Sequence, residues 1–127
     1  MGELRILVVD DNEASAKTIG WTIELLGYKV ELAYDGPSAL KAVEGFSPNL
    51  VLLDIGLPGM NGYELCEKMR ELPDLKNTVF IAQTGWSEPE HMKRSSEAGF
   101  NYHWVKPLEF AKIGPMIADI AREHKLT

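Results

Sequence analysis

Four short apolar runs in this chain each lead into residues that can do chemistry. Leu4-Arg5-Ile6-Leu7-Val8-Val9 stops at Asp10-Asp11, and Leu50-Val51-Leu52-Leu53 stops at Asp54. Val79-Phe80-Ile81-Ala82 leads through Gln83 to Thr84-Gly85, and Tyr102-His103-Trp104-Val105 stops at Lys106-Pro107. If these runs are strands of one parallel sheet, their carboxyl ends share a rim, and that rim is where ligands bind in open α/β sheets. The rim then carries three carboxylates, a hydroxyl and an ammonium. Carboxylates crowded together at neutral pH repel one another and call for a cation. Hard oxygen donors of this kind suit Mg²⁺, which keeps several waters and takes one or two carboxylates directly. The competing reading, in which each acid caps the next helix or lies in a solvated loop, fits any one of them. It fits poorly the whole set at successive strand ends, with Lys106 and Thr84 opposite.

The elements that must position these residues alternate along the chain. A fifth run, Tyr28-Lys29-Val30-Glu31-Leu32-Ala33, alternates in the manner of a more exposed strand, whereas the others are continuous, as parallel strands covered on both faces are. Ala16, Ile19, Ile23 and Leu26 fall on one helical face, with Gly27 as a stop. Gly36-Pro37-Ser38 opens a second helix, and Asn61-Gly62-Tyr63-Glu64 opens a third that ends before Pro73. Ser87-Glu88-Pro89-Glu90 has the form of a capping box for a fourth helix, which Gly99 ends. Ile113, Ile117 and Ile120 mark a fifth, where Gly114-Pro115 predicts an irregular or late start. The sum is an α/β fold: a doubly wound (βα)5 three-layer sandwich on a five-stranded parallel sheet. No repeat, linker or low-complexity stretch interrupts it, so one domain is expected to fill residues 1–127.

Composition narrows the function classes. The 127 residues carry a formal net charge of −6, which argues against a nucleic-acid surface on this domain, since phosphate binding needs a basic stripe. The single cysteine, Cys66, makes neither an internal disulfide nor a zinc site and reads as a small half-buried helix residue. No stretch approaches the ~20 apolar residues of a membrane span, and no basic segment with a long apolar run opens the chain. A soluble, cytoplasmic location without membrane contact by this domain is the expectation.

The motifs taken together resemble those of CheY-like receiver domains of two-component response regulators, over essentially the whole chain. Ile6-Leu7-Val8-Val9-Asp10-Asp11-Asn12 resembles the family's opening strand and acidic pair. Leu52-Leu53-Asp54-Ile55-Gly56-Leu57-Pro58-Gly59-Met60-Asn61-Gly62 resembles its phosphorylation loop, Thr84-Gly85 its switch hydroxyl and small residue, and Val105-Lys106-Pro107 its terminal lysine-proline. The resemblance implies the flavodoxin-like strand order 2-1-3-4-5. It also implies a phosphoacceptor switch. Asp54 is then the nucleophile, and Asp11, Asp54 and the Gly56 carbonyl hold Mg²⁺, with Asp10 acting through a metal-bound water. Lys106 and Thr84 bind phosphoryl oxygens, and a cis peptide joins Lys106 to Pro107. The implied partners are a histidine kinase or histidine phosphotransfer protein on one side and a downstream protein or fused domain on the other. In that reading the domain catalyses only its own phosphorylation and dephosphorylation, with no separate substrate.

Two positions depart from the commoner pattern. His103 stands where the family often has Tyr or Phe coupled to the switch threonine; it reads either as a switch residue or as a structural edge-strand residue. Trp86 reads either as a shield over the phosphoryl group or as a surface aromatic. The stretch from Thr84 to His103 looks most like receivers attached to hybrid sensor histidine kinases. Rival functions are a flavin-binding electron carrier, a phosphatase or nucleotide hydrolase, and a degenerate receiver acting only as a protein-interaction module. The acidic Asp10-Asp11-Asn12-Glu13 loop opposes the first, since it repels phosphate without a metal. The absence of G-x-x-x-x-G-K-[ST] opposes the second, and the intact set Asp10, Asp11, Asp54, Thr84 and Lys106 opposes the third.

Overall fold

The computed structural model describes residues 4–57, 59–85, 89–106 and 108–126, with backbone alone for 89–92. The Trp86 readings, the Ser87–Glu90 capping box and the Lys106–Pro107 peptide therefore lie outside the described residues. Five strands, β1 (Arg5–Val9), β2 (Lys29–Ala33), β3 (Leu50–Asp54), β4 (Val79–Thr84) and β5 (Tyr102–Val105), pair in parallel in the order β2-β1-β3-β4-β5. Between and after them run α1 (Glu13–Leu25), α2 (Gly36–Phe46), α3 (Gly62–Arg70), α4 (Pro89–Ala98) and α5 (Phe110–Glu123). This is the doubly wound sandwich and the strand order expected.

Alternation along the strands builds two cores. Ile6, Val8, Leu50, Leu52, Ile81 and Trp104 face α1 and α5, packing on Ile19, Ile23, Ile113, Ile117 and Ile120. Leu7, Val9, Val51, Leu53, Phe80 and Ala82 face α2, α3 and α4. Burying one such side chain is worth roughly 1.5–3 kcal/mol against leaving it exposed, so the central strands are held from both faces and their ends are fixed. Strand β2 alternates exposed and half-buried positions up to the buried Ala33, as its sequence predicts.

Helix starts are set by local side chains. Asn12, Asp35 and Asn61 each accept a hydrogen bond from the backbone N–H three residues on, at 3.0, 2.8 and 2.9 Å. These caps leave Asp10 and Asp54 with no capping duty. Leu26 caps α1 with its side chain toward Gly114 of α5 and is 46% exposed, and Gly27, where φ is +96°, stops the helix as expected. Two expectations need correction. Cys66 is fully buried, not half-buried, on the inner face of α3. Pro115 does not delay α5, which runs from Phe110 through it. Both Pro115 and Ala111, whose carbonyl loses its i+4 donor there, lie on the exposed side, where water can take the freed bond.

At the pole away from the strand ends, Arg70 clamps the elements together. Its guanidinium donates to the carbonyls of Gly99 (2.6 Å) and Thr78 (2.7 Å) and to Asn101 Oδ1 (2.7 Å), and it stacks 4.3 Å over Phe80. The Tyr102 phenol similarly ties β5 to the end of α5 through Glu123 Oε2 at 2.6 Å.

Candidate functional site

Four polar residues end four adjacent strands on one face of the sheet. Residues of even number on β1 and β3, of odd number on β4 and of even number on β5 face α1 and α5. By that alternation Asp10, Asp54, Gln83 and Lys106 stand in a row across β1, β3, β4 and β5 on this side. The register places Asp54 opposite Gln83. Asp10 and Asp54 are buried, at 1% and 6% exposure, while Asp11 is exposed at the rim. One carboxylate oxygen from each of the three lies within 4.8 Å of the others, close enough to share one cation.

Each buried carboxylate is oriented. Asp54 Oδ1 accepts from the Gly56 N–H at 3.0 Å, and Oδ2 accepts from Lys106 Nζ at 3.0 Å. Asp10 Oδ1 accepts from the Asn12 N–H at 3.0 Å, and Oδ2 has no protein partner among the described residues. Burial raises the Asp10 carboxyl above its ordinary range; the Asn12 amide and Lys106 oppose this, and the nearby Asp54 carboxylate reinforces it. A buried acid with a spare acceptor, held beside two others, is short of positive charge. The residues present thus fit a divalent cation with oxygen ligands.

Close backbone approach holds the loop after β3. The Gly62 N–H donates to the Ile55 carbonyl at 2.9 Å. A Cβ on Gly62 would lie 2.6 Å from the Asp54 carbonyl oxygen and 2.7 Å from Ile55 Cα. Glycine there is a packing requirement, and it brings the start of α3 against the strand that carries Asp54.

Thr84 and His103 lie on the other face, toward α4. Thr84 is buried, and His103 pairs in register with Ala82, two residues before Thr84 on the same side of β4. His103 Nδ1 lies 3.2 Å from Ser95 Oγ of α4, while Tyr102 and Trp104 face α5. The Thr84 carbonyl accepts from the Lys106 N–H at 2.7 Å. The polar row and Thr84 are thus adjoined at the end of β4, where Thr84 follows Gln83, and His103 lies on the Thr84 side of β5.

The sequence profile of the response regulator receiver domain matches residues 6–118. This chain belongs to that family. As a receiver domain of two-component signalling, it has solved relatives of the same shape. The CheY-like receiver domain protein of Methanospirillum hungatei JF-1 superposes with a TM-score of 0.89 at 32% identity, covering 98% of each chain. Response regulator PleD of Caulobacter vibrioides is 29% identical over 118 residues, 93% of this receiver and 26% of PleD. The signal transduction histidine-protein kinase BarA of Escherichia coli K12 is 32% identical over 106 residues, 84% of this receiver and 12% of BarA. The receiver thus spans about a quarter or less of the length of these two curated relatives, which include both a response regulator and a histidine kinase.

Gln83 and Asn12 belong to the pocket although their types alone did not single them out. Asn12 carries a visible signal as a helix cap beside the acidic pair. Gln83 carries one too: a polar residue inside an otherwise apolar central strand, two places after Ile81.

Proposed function

We propose that this receiver is a phosphoacceptor switch, in which Asp54 takes a phosphoryl group from a phosphohistidine of a partner histidine kinase or phosphotransfer protein. The observation that carries this reading is the Asp10–Asp11–Asp54 cluster with Lys106 Nζ 3.0 Å from Asp54 Oδ2. Asp11, Asp54 and the Gly56 carbonyl would hold Mg²⁺, with Asp10 joined through a water. When bound, the ion neutralises charge on the incoming phosphoryl oxygens.

In the transfer, one Asp54 carboxylate oxygen attacks phosphorus, the phosphorus–nitrogen bond breaks, and the imidazole leaves with the bonding pair, giving an acyl phosphate. Lys106, now paired with Asp54, moves its point charge to a phosphoryl oxygen. The Thr84 hydroxyl donates to another and so distinguishes the two states. His103, beside Ser95 and on the Thr84 face, passes that change to α4, β5 and α5, the surface offered to a downstream protein or fused domain. The reading takes residues 1–127 as one cytoplasmic receiver domain that turns over no separate substrate and makes no nucleic-acid or membrane contact. Among the described residues no helix is long and apolar enough to cross a membrane.

Incubation with acetyl phosphate and Mg²⁺ is expected to add one phosphoryl group by intact mass, and none in Asp54→Asn or in excess chelator. Uptake by Asp54→Asn at the wild-type rate would refute the assignment of the acceptor.

A further inference from the structure

The pocket contains two buried polar atoms without a hydrogen-bond partner among the described residues, and they are complementary. Gln83 is 1% exposed, and its Nε2 donor has no partner among the described residues. Asp10 is equally buried, and its Oδ2 acceptor has none. Both residues line one cleft of about 360 Å³ between α1 and the start of α5, together with Asn12, Ser15, Lys106 and Phe110. Unpaired buried polar groups are costly, and immobilising one water costs less than leaving both a donor and an acceptor unmade.

We propose that Gln83 is a positioning residue of the acidic pocket, tied to Asp10 Oδ2 by a single water in this cleft. Neither atom is hydrogen-bonded to the other, so a direct bond does not connect them. A water can accept from the Gln83 amide and donate to the Asp10 carboxylate at once. A cation at that point would gain nothing from an N–H donor and would meet Lys106 as well. Ser15, lining the same cleft, offers a hydroxyl for the water's third bond, which buried waters typically make. With Oδ1 fixed by the Asn12 N–H and Oδ2 by this water, the Asp10 carboxylate is held in one orientation before any ligand arrives. An aliphatic side chain at position 83 would fill the space and leave Oδ2 unanchored.

The consequence for metal affinity rests on the Mg²⁺ reading above; the water bridge itself does not. A high-resolution crystal structure of the metal-free protein is expected to show one water within about 3.2 Å of both Gln83 Nε2 and Asp10 Oδ2. Calorimetric titration should show Mg²⁺ binding weakened roughly tenfold in Gln83→Met, whose side chain has similar length and no donor. The urea midpoint of that variant should be unchanged or raised, which separates positioning from a folding defect. In wild-type protein the Gln83 side-chain NH₂ resonances should shift on adding Mg²⁺, and in Asp10→Asn they should move without it. The bridge is overturned if no water joins the two atoms or if the Gln83 resonances ignore Asp10→Asn. Wild-type Mg²⁺ affinity in Gln83→Met overturns the positioning role. Failure of the wild-type protein to bind Mg²⁺ at all would instead sink the metal reading, and the crystal structure would still decide the bridge.

Discussion

Asp10 shows what burial does to a single residue in this pocket. Its carboxyl is raised mainly by desolvation, so the folded state holds the Asp10 proton more tightly than the unfolded chain does. The sign follows: the stability this group lends is full below the unfolded value near pH ~4 and is lost as pH rises through the higher folded value. Metal-free Asp10→Asn should therefore be more stable than wild type at pH 7, with a higher Tm. The gap should close toward pH ~4, and millimolar Mg²⁺ should restore the wild type alone. Thermal scans across pH, with and without Mg²⁺, check each point; a variant less stable at every pH would show that the Asp10 charge is already compensated in the metal-free protein. Cys66 gives a second residue-scale expectation. Burial pushes its thiol up to about 12, so a thiol reagent at pH 8 should not label the folded protein and should label it fully in denaturant.

Elements place the acids, and the contact between α3 and β3 is the tightest joint near them. Asn61 caps α3 from both sides, its Oδ1 accepting from the Glu64 N–H and its Nδ2 donating to Glu64 Oε1 at 3.0 Å. Gly62 then passes directly over the main chain of Asp54 and Ile55. Neither obstacle is the end of a flexible side chain, so an added methyl group must push α3 or the strand end aside. Gly62→Ala should cost ~2 kcal/mol or more in urea unfolding and slow phosphorylation by moving Asp54. A loss below ~0.5 kcal/mol would show that the loop after β3 yields freely. The Arg70 clamp at the opposite pole explains why strain here is not relieved by sliding α3 along the sheet: its far end is pinned to Gly99, Thr78 and Asn101.

At the scale of the whole molecule, the proposed switch runs between the two faces of the sheet through β4 and β5. Asp54, Gln83 and Lys106 lie on the α1/α5 side, and Thr84 and His103 on the α4 side, Thr84 one position beyond Gln83 on β4 and His103 three before Lys106 at the end of β5. In the proposed switch a phosphoryl group would change the hydrogen bonds open to Thr84 in one state only, and a two-state equilibrium shifts by no more than that differential interaction, a few kcal/mol at most. With beryllofluoride standing in for phosphoryl, NMR shifts should extend from the acidic pocket through Thr84 and His103 to α4 and α5. They should stop near the pocket in Thr84→Ala, and His103→Tyr should alter the α4 shifts if the imidazole takes part. Shifts confined to Asp10, Asp11, Asp54 and Lys106 would rule out this route.

Much of this was legible in the sequence because parallel strands buried on both faces must be continuous apolar runs. The runs ending at Asp10, Asp54, Thr84 and Lys106 gave the strands, and the carboxyl-end rule gathered the residues of the candidate site. Strand alternation placed His103 opposite in direction to Tyr102 and Trp104, as the two cores require. Pattern alone misjudged Pro115, whose tolerance depends on which side of α5 meets water. Only the tertiary structure brought Gln83 into line with Asp10, Asp54 and Lys106, because that row depends on the register of four strands remote in sequence. Equally, no spacing could reveal that Gly62 lies against Asp54: close approach is a property of the packed α3–β3 joint, set by three-dimensional contact rather than by local order.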